Sequence, residues 1–122
     1  MQDFRKLRVW EEAHRCALAT YALTRSFPRD ERYGLTAQMR RSSASVPTNI
    51  AEGCGRSSAA DLCRFLHIAM GSASELDYQL ILARDLGYVA HEQAAAHAEQ
   101  VACVKRMLNA LLRSIRTKNQ VL

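Results

Sequence analysis

Apolar residues recur along this chain at three- and four-residue steps in four separate stretches, and no stretch alternates apolar with polar. That period is helical, so the pattern predicts four helices and no strand. In the first helix, from about residue 7 to 27, Leu7, Trp10, His14, Ala17 and Tyr21 define one face. Arg8, Glu11, Glu12 and Arg15 take the other side, with Arg8–Glu12 and Glu11–Arg15 spaced as i,i+4 pairs. Pro28 ends this helix, because the residue before a proline is pushed out of helical dihedrals.

The second helix begins near residues 32–35 and runs to about 52, with Leu35, Met39, Ser43 (or Ser42), Val46, Ile50 and Cys54 along one side. Pro47 falls inside it and removes the hydrogen bond to the Ser43 carbonyl. The apolar stepping keeps its register on both sides, which predicts one kinked helix instead of two short ones. Gly53 and Gly55 stand where left-handed C-cap residues belong.

The third helix carries the clearest pattern. Ser58 and Asp61 have the capping-box spacing, with aspartate in place of the usual glutamate. Leu62, Leu66, Ala69, Ala73, Leu76, Leu80 and Ala83 follow as a heptad seam. Through residue 86 such a helix is about 42 Å long, and Gly87 closes it. Gly71, Ser72 and Ser74 are small enough to admit a neighbouring backbone. The fourth helix, about residues 92–115, presents Val101, Val104, Leu108, Leu111 and Ile115. Fraying is expected after Arg116.

Short connections force neighbours to run antiparallel. The expected fold is all-α, an up-down-up-down four-helix bundle. Residues 1–122 form one domain, with its core at about 5–115 and a frayed basic tail at 116–122.

Composition narrows the partners. The chain has 122 residues, 48% of them apolar, and a net charge of +5. That length suits one domain with one core. No apolar run reaches the length of a leader or a membrane span, so a cytoplasmic protein without membrane contact is expected. Cys16, Cys54, Cys63 and Cys103 lie far apart and read as core or near-core residues of a reducing compartment. Residues 1–102 carry as many acids as bases. Residues 103–122 carry Lys105, Arg106, Arg113, Arg116 and Lys118 and no acid. Such a block meets nucleic-acid phosphates or an acidic partner, or is a solvated helix end complementing the C-terminal dipole.

Several segments together point to a family. They are Phe4-Arg5-Lys6-Leu7-Arg8-Val9-Trp10, Ala37-Gln38-Met39-Arg40-Arg41 and Ser45-Val46-Pro47-Thr48-Asn49-Ile50-Ala51-Glu52-Gly53. Arg64-Phe65-Leu66-His67-Ile68-Ala69, Gly71-Ser72-Ala73-Ser74-Glu75-Leu76 and Leu82-Ala83-Arg84-Asp85-Leu86-Gly87-Tyr88 complete the set. The chain resembles, over about residues 4–115, the four-helix-bundle proteins encoded by intervening sequences of 23S ribosomal RNA. The resemblance implies a small antiparallel bundle assembled as a cyclic pentamer. A related group, the accessory proteins of diversity-generating retroelements, partners a reverse transcriptase and nucleic acid. The family has no assigned catalytic residues, so the resemblance supplies none. The last helix matches only in pattern.

Assembly has some support in the residues themselves. Val9, Cys16 and Leu23 lie off the main stripe of the first helix, and Phe65 and Ile68 lie beside the seam of the third. Extra apolar surface of this kind is either a subunit interface or a wide core face.

Candidate nucleic-acid contacts are Arg40, Arg41, Arg56, Lys105, Arg106, Arg113, Arg116 and Lys118. A guanidinium fork suits phosphate oxygens. The competing role for Arg40 and Arg41 is a structural ion pair with Glu52, Glu75 or Asp77, within or between subunits. Arg56 lies near the start of the third helix, where backbone amides accept anions and serine caps equally explain the local sequence. Cys63 and His67 have i,i+4 ligand spacing, and Cys54 lies across the turn, but a fourth ligand is missing, so no metal or other cofactor is expected. His14 is expected in the core or an interface, and His91 and His97 in solvent.

No catalytic motif is present: no nucleophile elbow, no phosphate loop, no HExxH. The expected function is non-enzymatic binding of structured RNA, or of a nucleic-acid-processing protein, by a homo-oligomer. A scaffold ring without a nucleic-acid role is the alternative.

Overall fold

The computed structural model describes residues 2–121, with side chains from Gln2 to Lys118. Four helices make up most of the chain: α1 (Arg8–Thr24), α2 (Leu35–Cys54), α3 (Ala59–Asp85) and α4 (His91–Val121). Single 3-10 turns at Phe4–Lys6 and Arg29–Glu31 precede α1 and α2. No strand occurs among the described residues.

Each of α1 and α3 packs against both α2 and α4, and among the described residues the backbones of α1 and α3, and of α2 and α4, do not approach one another closely. The helices therefore occupy the corners of a square, with α1 and α3 on one diagonal and α2 and α4 on the other. Contacts between α2 and α3 run in opposite order along the two helices. Ser42 donates to the Gln79 side chain at 2.6 Å, Ser45 meets Ser72 at 2.8 Å, and Gly53 lies on Leu62 and Phe65. The molecule is an all-α four-helix bundle.

The α3 seam is the centre of the core: Leu66, Ala69, Ala73, Leu76, Leu80 and Ala83 are all buried. Met39 and Ile50 of α2 and Val101, Val104, Leu108 and Leu112 of α4 meet it. A fully buried leucine contributes about 2 kcal/mol of transfer free energy, so this row accounts for much of the drive to fold.

On α1 the buried face is rotated from the expected one. Val9, Ala13, Cys16, Ala17, Thr20 and Thr24 are inside, while His14 and Tyr21 are exposed. Trp10 is half-buried, edge-on to Phe4 and stacked on His14. The helix has apolar residues on two sides, and small residues won the inner one because α1 must approach two neighbours. Of the residues expected as leftover surface, Val9, Cys16 and Phe65 belong to the core, Leu23 is half-buried, and Ile68 alone is exposed.

Of the two histidines expected in solvent, His91 is exposed and His97 is not. His97 is buried, its Nε2 2.8 Å from Thr20 Oγ1. The single Thr20 proton goes to the Cys16 carbonyl at 2.9 Å. Nε2–H is then the donor, which in a neutral ring is the Nε2–H tautomer. Burial holds the His97 pKa below its usual value. Burial, with a smaller push from Glu12, also drives the Cys16 thiol up to about 11, so it stays protonated and inert.

α2 is continuous through Pro47. Beside the proline, polar side chains bond back to the turn before them. Thr48 Oγ1 donates to the Ala44 carbonyl at 2.7 Å, and Asn49 Nδ2 reaches the Ser45 carbonyl and hydroxyl at 2.8 and 2.9 Å.

The glycines have other roles than those expected. Gly53 is helical and buried, and a Cβ there would stand 3.0 Å from Phe65 Cβ, so its purpose is close approach of α2 to α3. Gly55 has φ −83°, not a left-handed value. Gly87, at φ +80°, does end its helix in the left-handed region.

Ser58 accepts from the Asp61 amide at 3.1 Å and caps α3 as the spacing predicts. α2 is capped from a distance. Glu31 Oε1 accepts from the Leu35 amide at 3.1 Å, and Oε2 accepts from Tyr88 Oη at 2.8 Å. Those two bonds hold the Glu31 carboxyl below its usual pKa, the Leu35 amide counting most. α4 is helical from His91 to Val121, with no glycine or proline inside it.

Candidate nucleic-acid interface

The eight basic residues singled out from the sequence fall into separate places. Arg40 is a structural bridge. Its Nε donates to Thr24 Oγ1 at 2.9 Å, one terminal nitrogen donates to the Tyr21 carbonyl at 3.3 Å, and the guanidinium lies 4.8 Å from the Tyr21 ring centroid. It ties α2 to α1 through hydrogen bonds and ring contact. Within the chain no ion pair of Arg40 or Arg41 with Glu52, Glu75 or Asp77 occurs among the described residues: Glu52 pairs with Arg56 and Asp77 with Lys105. Arg41, one residue on, is exposed on the outer side of α2.

Arg56 lies 4.7 Å from the Phe65 ring centroid, and Arg64 lies 4.5 Å from the same ring. It also reaches Glu52 at 3.4 Å. Arg56 and Lys118 line a groove of about 360 Å³ at one end of the bundle, between the end of α2, the start of α3 and the end of α4.

The remaining four lie on α4. At 3.6 residues per turn, Lys105, Arg106, Arg113 and Arg116 fall within an arc of about 100°. Lys105 is half-buried and 4.0 Å from Asp77, and Arg106 pairs with Glu99 at 3.1 Å. Arg113 and Arg116 are exposed, with no ion pair among the described residues. Because α2 and α4 lie on a diagonal, the outer face bearing Arg41 points away from the α4 cluster.

A further basic site was missed in the sequence. Arg25, Arg29, Arg32 and Arg40 line a groove of about 380 Å³ at the α1–α2 corner, with Thr24, Phe27, Pro28 and Thr36. A sum of charge over residues 1–102 conceals it, because it counts Glu31, which is held by Tyr88 and the Leu35 amide, as an acid like any other. The 4-3 spacing of Arg25, Arg29 and Arg32 across Pro28 was the signal available.

Metal chemistry finds no cluster among the described residues: no three histidine, cysteine or carboxylate side chains gather to hold an ion. Cys63 is half-buried and His67 exposed on the same helix. The interior void lined by Cys16, Ser43, Leu76 and Val104 holds only about 10 Å³. No described helix is long and apolar enough to cross a membrane.

The family model for the 23S rRNA-intervening sequence protein matches residues 5–110. The chain belongs to that family. The match includes the α1–α2 corner and ends before Arg113, Arg116 and Lys118, so the family description does not extend to the basic end of α4. Among solved structures, one from Bacteroides thetaiotaomicron is similar: a protein of unknown function from the S23 ribosomal protein family. It is 24% identical, with a TM-score of 0.80 over 86% of this chain and 95% of that one. At that identity it shows a shared fold for this intervening-sequence family member. Among curated proteins no sequence matches.

Proposed function

We propose that this chain is a non-enzymatic, self-associating cytoplasmic bundle that binds structured RNA through the outward basic face of α4. One observation carries the reading. Arg106, Arg113 and Arg116 share a single outer face, and no acid follows Glu99 anywhere in the chain. Guanidinium groups repeated along one face suit a ladder of phosphates. The family description, tied to 23S rRNA, supports RNA as the nucleic acid.

Salt dependence tests it. Binding of a labelled RNA hairpin should weaken linearly on a log–log plot against salt, with a slope near −0.9 per contacted phosphate in B-DNA terms and of similar size for duplex RNA. Replacing Arg106, Arg113 and Arg116 together with glutamine should reduce that slope by about 2 to 3. No binding to any RNA at low salt, or an unchanged slope in the triple variant, refutes the α4 contact.

A scaffold role without RNA is favoured by a different observation, the apolar surface left exposed. Leu18 and Tyr21 are exposed on α1, and Ile68, Tyr78 and Ile81 on α3. Since α1 and α3 lie on a diagonal, these two faces point in opposite directions. Two unlike faces on opposite sides suit head-to-tail association, which closes into a ring when the rotation permits. The resemblance implies five subunits, and a reverse-transcriptase-like protein is the protein partner it suggests.

A further inference from the structure

The groove at the α1–α2 corner is lined by four arginines, and three of them are uncommitted. No acid lies within ion-pair distance of Arg25, Arg29 or Arg32 among the described residues. The local acids do not neutralise it. Glu31 is held by Tyr88 and the Leu35 amide, which leaves Asp30 as the one carboxylate of the turn without a structural partner of this kind. Arg40 forms the groove's inner wall and is fixed there by Thr24 and Tyr21.

Beside this groove stands Tyr33. It is 86% exposed, more than any other large apolar side chain described. The Arg32 guanidinium lies 5.6 Å from its ring centroid, so the ring adjoins the groove wall. Neither the core nor any described hydrogen bond of the hydroxyl explains its position. An exposed aromatic ring next to uncommitted arginines is what proteins use to hold unpaired nucleotides: cations track the phosphates, and the ring stacks a base. A duplex offers phosphates but no open base face to Tyr33, so the two groups together select an unpaired strand.

We propose that the α1–α2 corner binds a single-stranded segment of RNA, with phosphates on Arg25, Arg29 and Arg32 and a base stacked on Tyr33. This rests on the reading of the chain as an RNA-binding protein, and it deepens that reading. The corner and the basic end of α4 lie at opposite ends of the bundle. Thr20 and His97 are level, and from there Arg113 and Arg25 lie in opposite directions, roughly 30 Å apart at 1.5 Å per residue. One RNA with a paired stem and an unpaired flank spans both.

Fluorescence anisotropy of the full chain with a labelled unpaired 12-nucleotide RNA tests the proposal, with a labelled hairpin alongside. Tyr33→Ala should weaken the unpaired RNA about tenfold with little change in salt slope. Arg29→Gln with Arg32→Gln should reduce that slope by about 1.4, the single-strand value for two phosphates. All three side chains are exposed, so the variants keep the fold, checked by circular dichroism. If both variants bind the unpaired RNA as the parent does, the corner is not the contact, and the proposal falls. If they also shift the mass measured by light scattering, the corner is an interface between copies of this chain. If the parent binds the hairpin and not the unpaired strand, the corner proposal fails while the α4 contact stands. If it binds neither, both fail.

Discussion

His97 illustrates how one buried polar side chain links fold to solution conditions. Its neutral ring gives Nε2–H to Thr20, and burial depresses its pKa. Above about pH 6.5 the ring is neutral in folded and unfolded chains alike. As pH falls below that value, the unfolded chain takes up a proton that the folded chain resists. Stability therefore declines from pH 6.5 downward until the folded pKa is passed. Urea unfolding at pH 7.5 and at pH 5.5 should show a lower midpoint at pH 5.5, and His97→Gln should lessen the difference. A midpoint insensitive to this substitution at both pH values contradicts the assignment. Sequence reading placed His97 in solvent because its neighbours on α4 are small or polar. The deciding contact, Thr20, is 77 residues away and has no local signature.

Among the elements, the α2–α3 pair sets the closest approach. Gly53 lies against Phe65 Cβ and Leu62 Cδ1, each 3.0 Å from where a Cβ would stand, and the Leu62 carbonyl is 3.3 Å away. Alanine gains about 0.5–1 kcal/mol of helix preference over glycine, but overpacking costs about 1–3 kcal/mol. Gly53→Ala should therefore destabilise by about 1 kcal/mol in urea unfolding. Gly71, equally helical, has nothing within 4 Å of an added Cβ. Gly71→Ala should stabilise by about 0.5–1 kcal/mol. Equal effects at the two sites contradict the packing account. The helices themselves were legible, and the α3 seam most of all, because a 4-3 repeat admits one buried face. α1 was not legible to the same degree: with apolar residues on two sides, its periodicity left the inner face undecided. Gly53 read as a cap because it precedes a helix end, while its contact with Phe65 is tertiary.

For the whole molecule, the square arrangement places exposed apolar faces of α1 and α3 on opposite sides. Head-to-tail association makes a specific prediction. Leu18→Arg and Ile81→Arg, both on the surface, should each reduce the assembly to monomers by light scattering. Each retains one intact face, so an equal mixture should form dimers and nothing larger. A parent chain that is monomeric at tens of micromolar, or a mixture that stays monomeric, contradicts the arrangement.

The same square separates basic residues that the sequence grouped as one set. Arg40 turns inward to α1, Arg56 rests on Phe65, and the α4 arginines occupy another corner. What the sequence determined by itself was the number of helices, the heptad seam, the proline-bearing second helix and the excess positive charge of residues 103–122. Each is a local property, read from spacing and side-chain type. The tertiary structure alone decided which face of α1 is inner, which arginines are committed to the bundle, and that Arg25, Arg29, Arg32 and Arg40 surround one groove. Those depend on which residues meet across helices, and packing in three dimensions selects among faces that periodicity leaves equivalent.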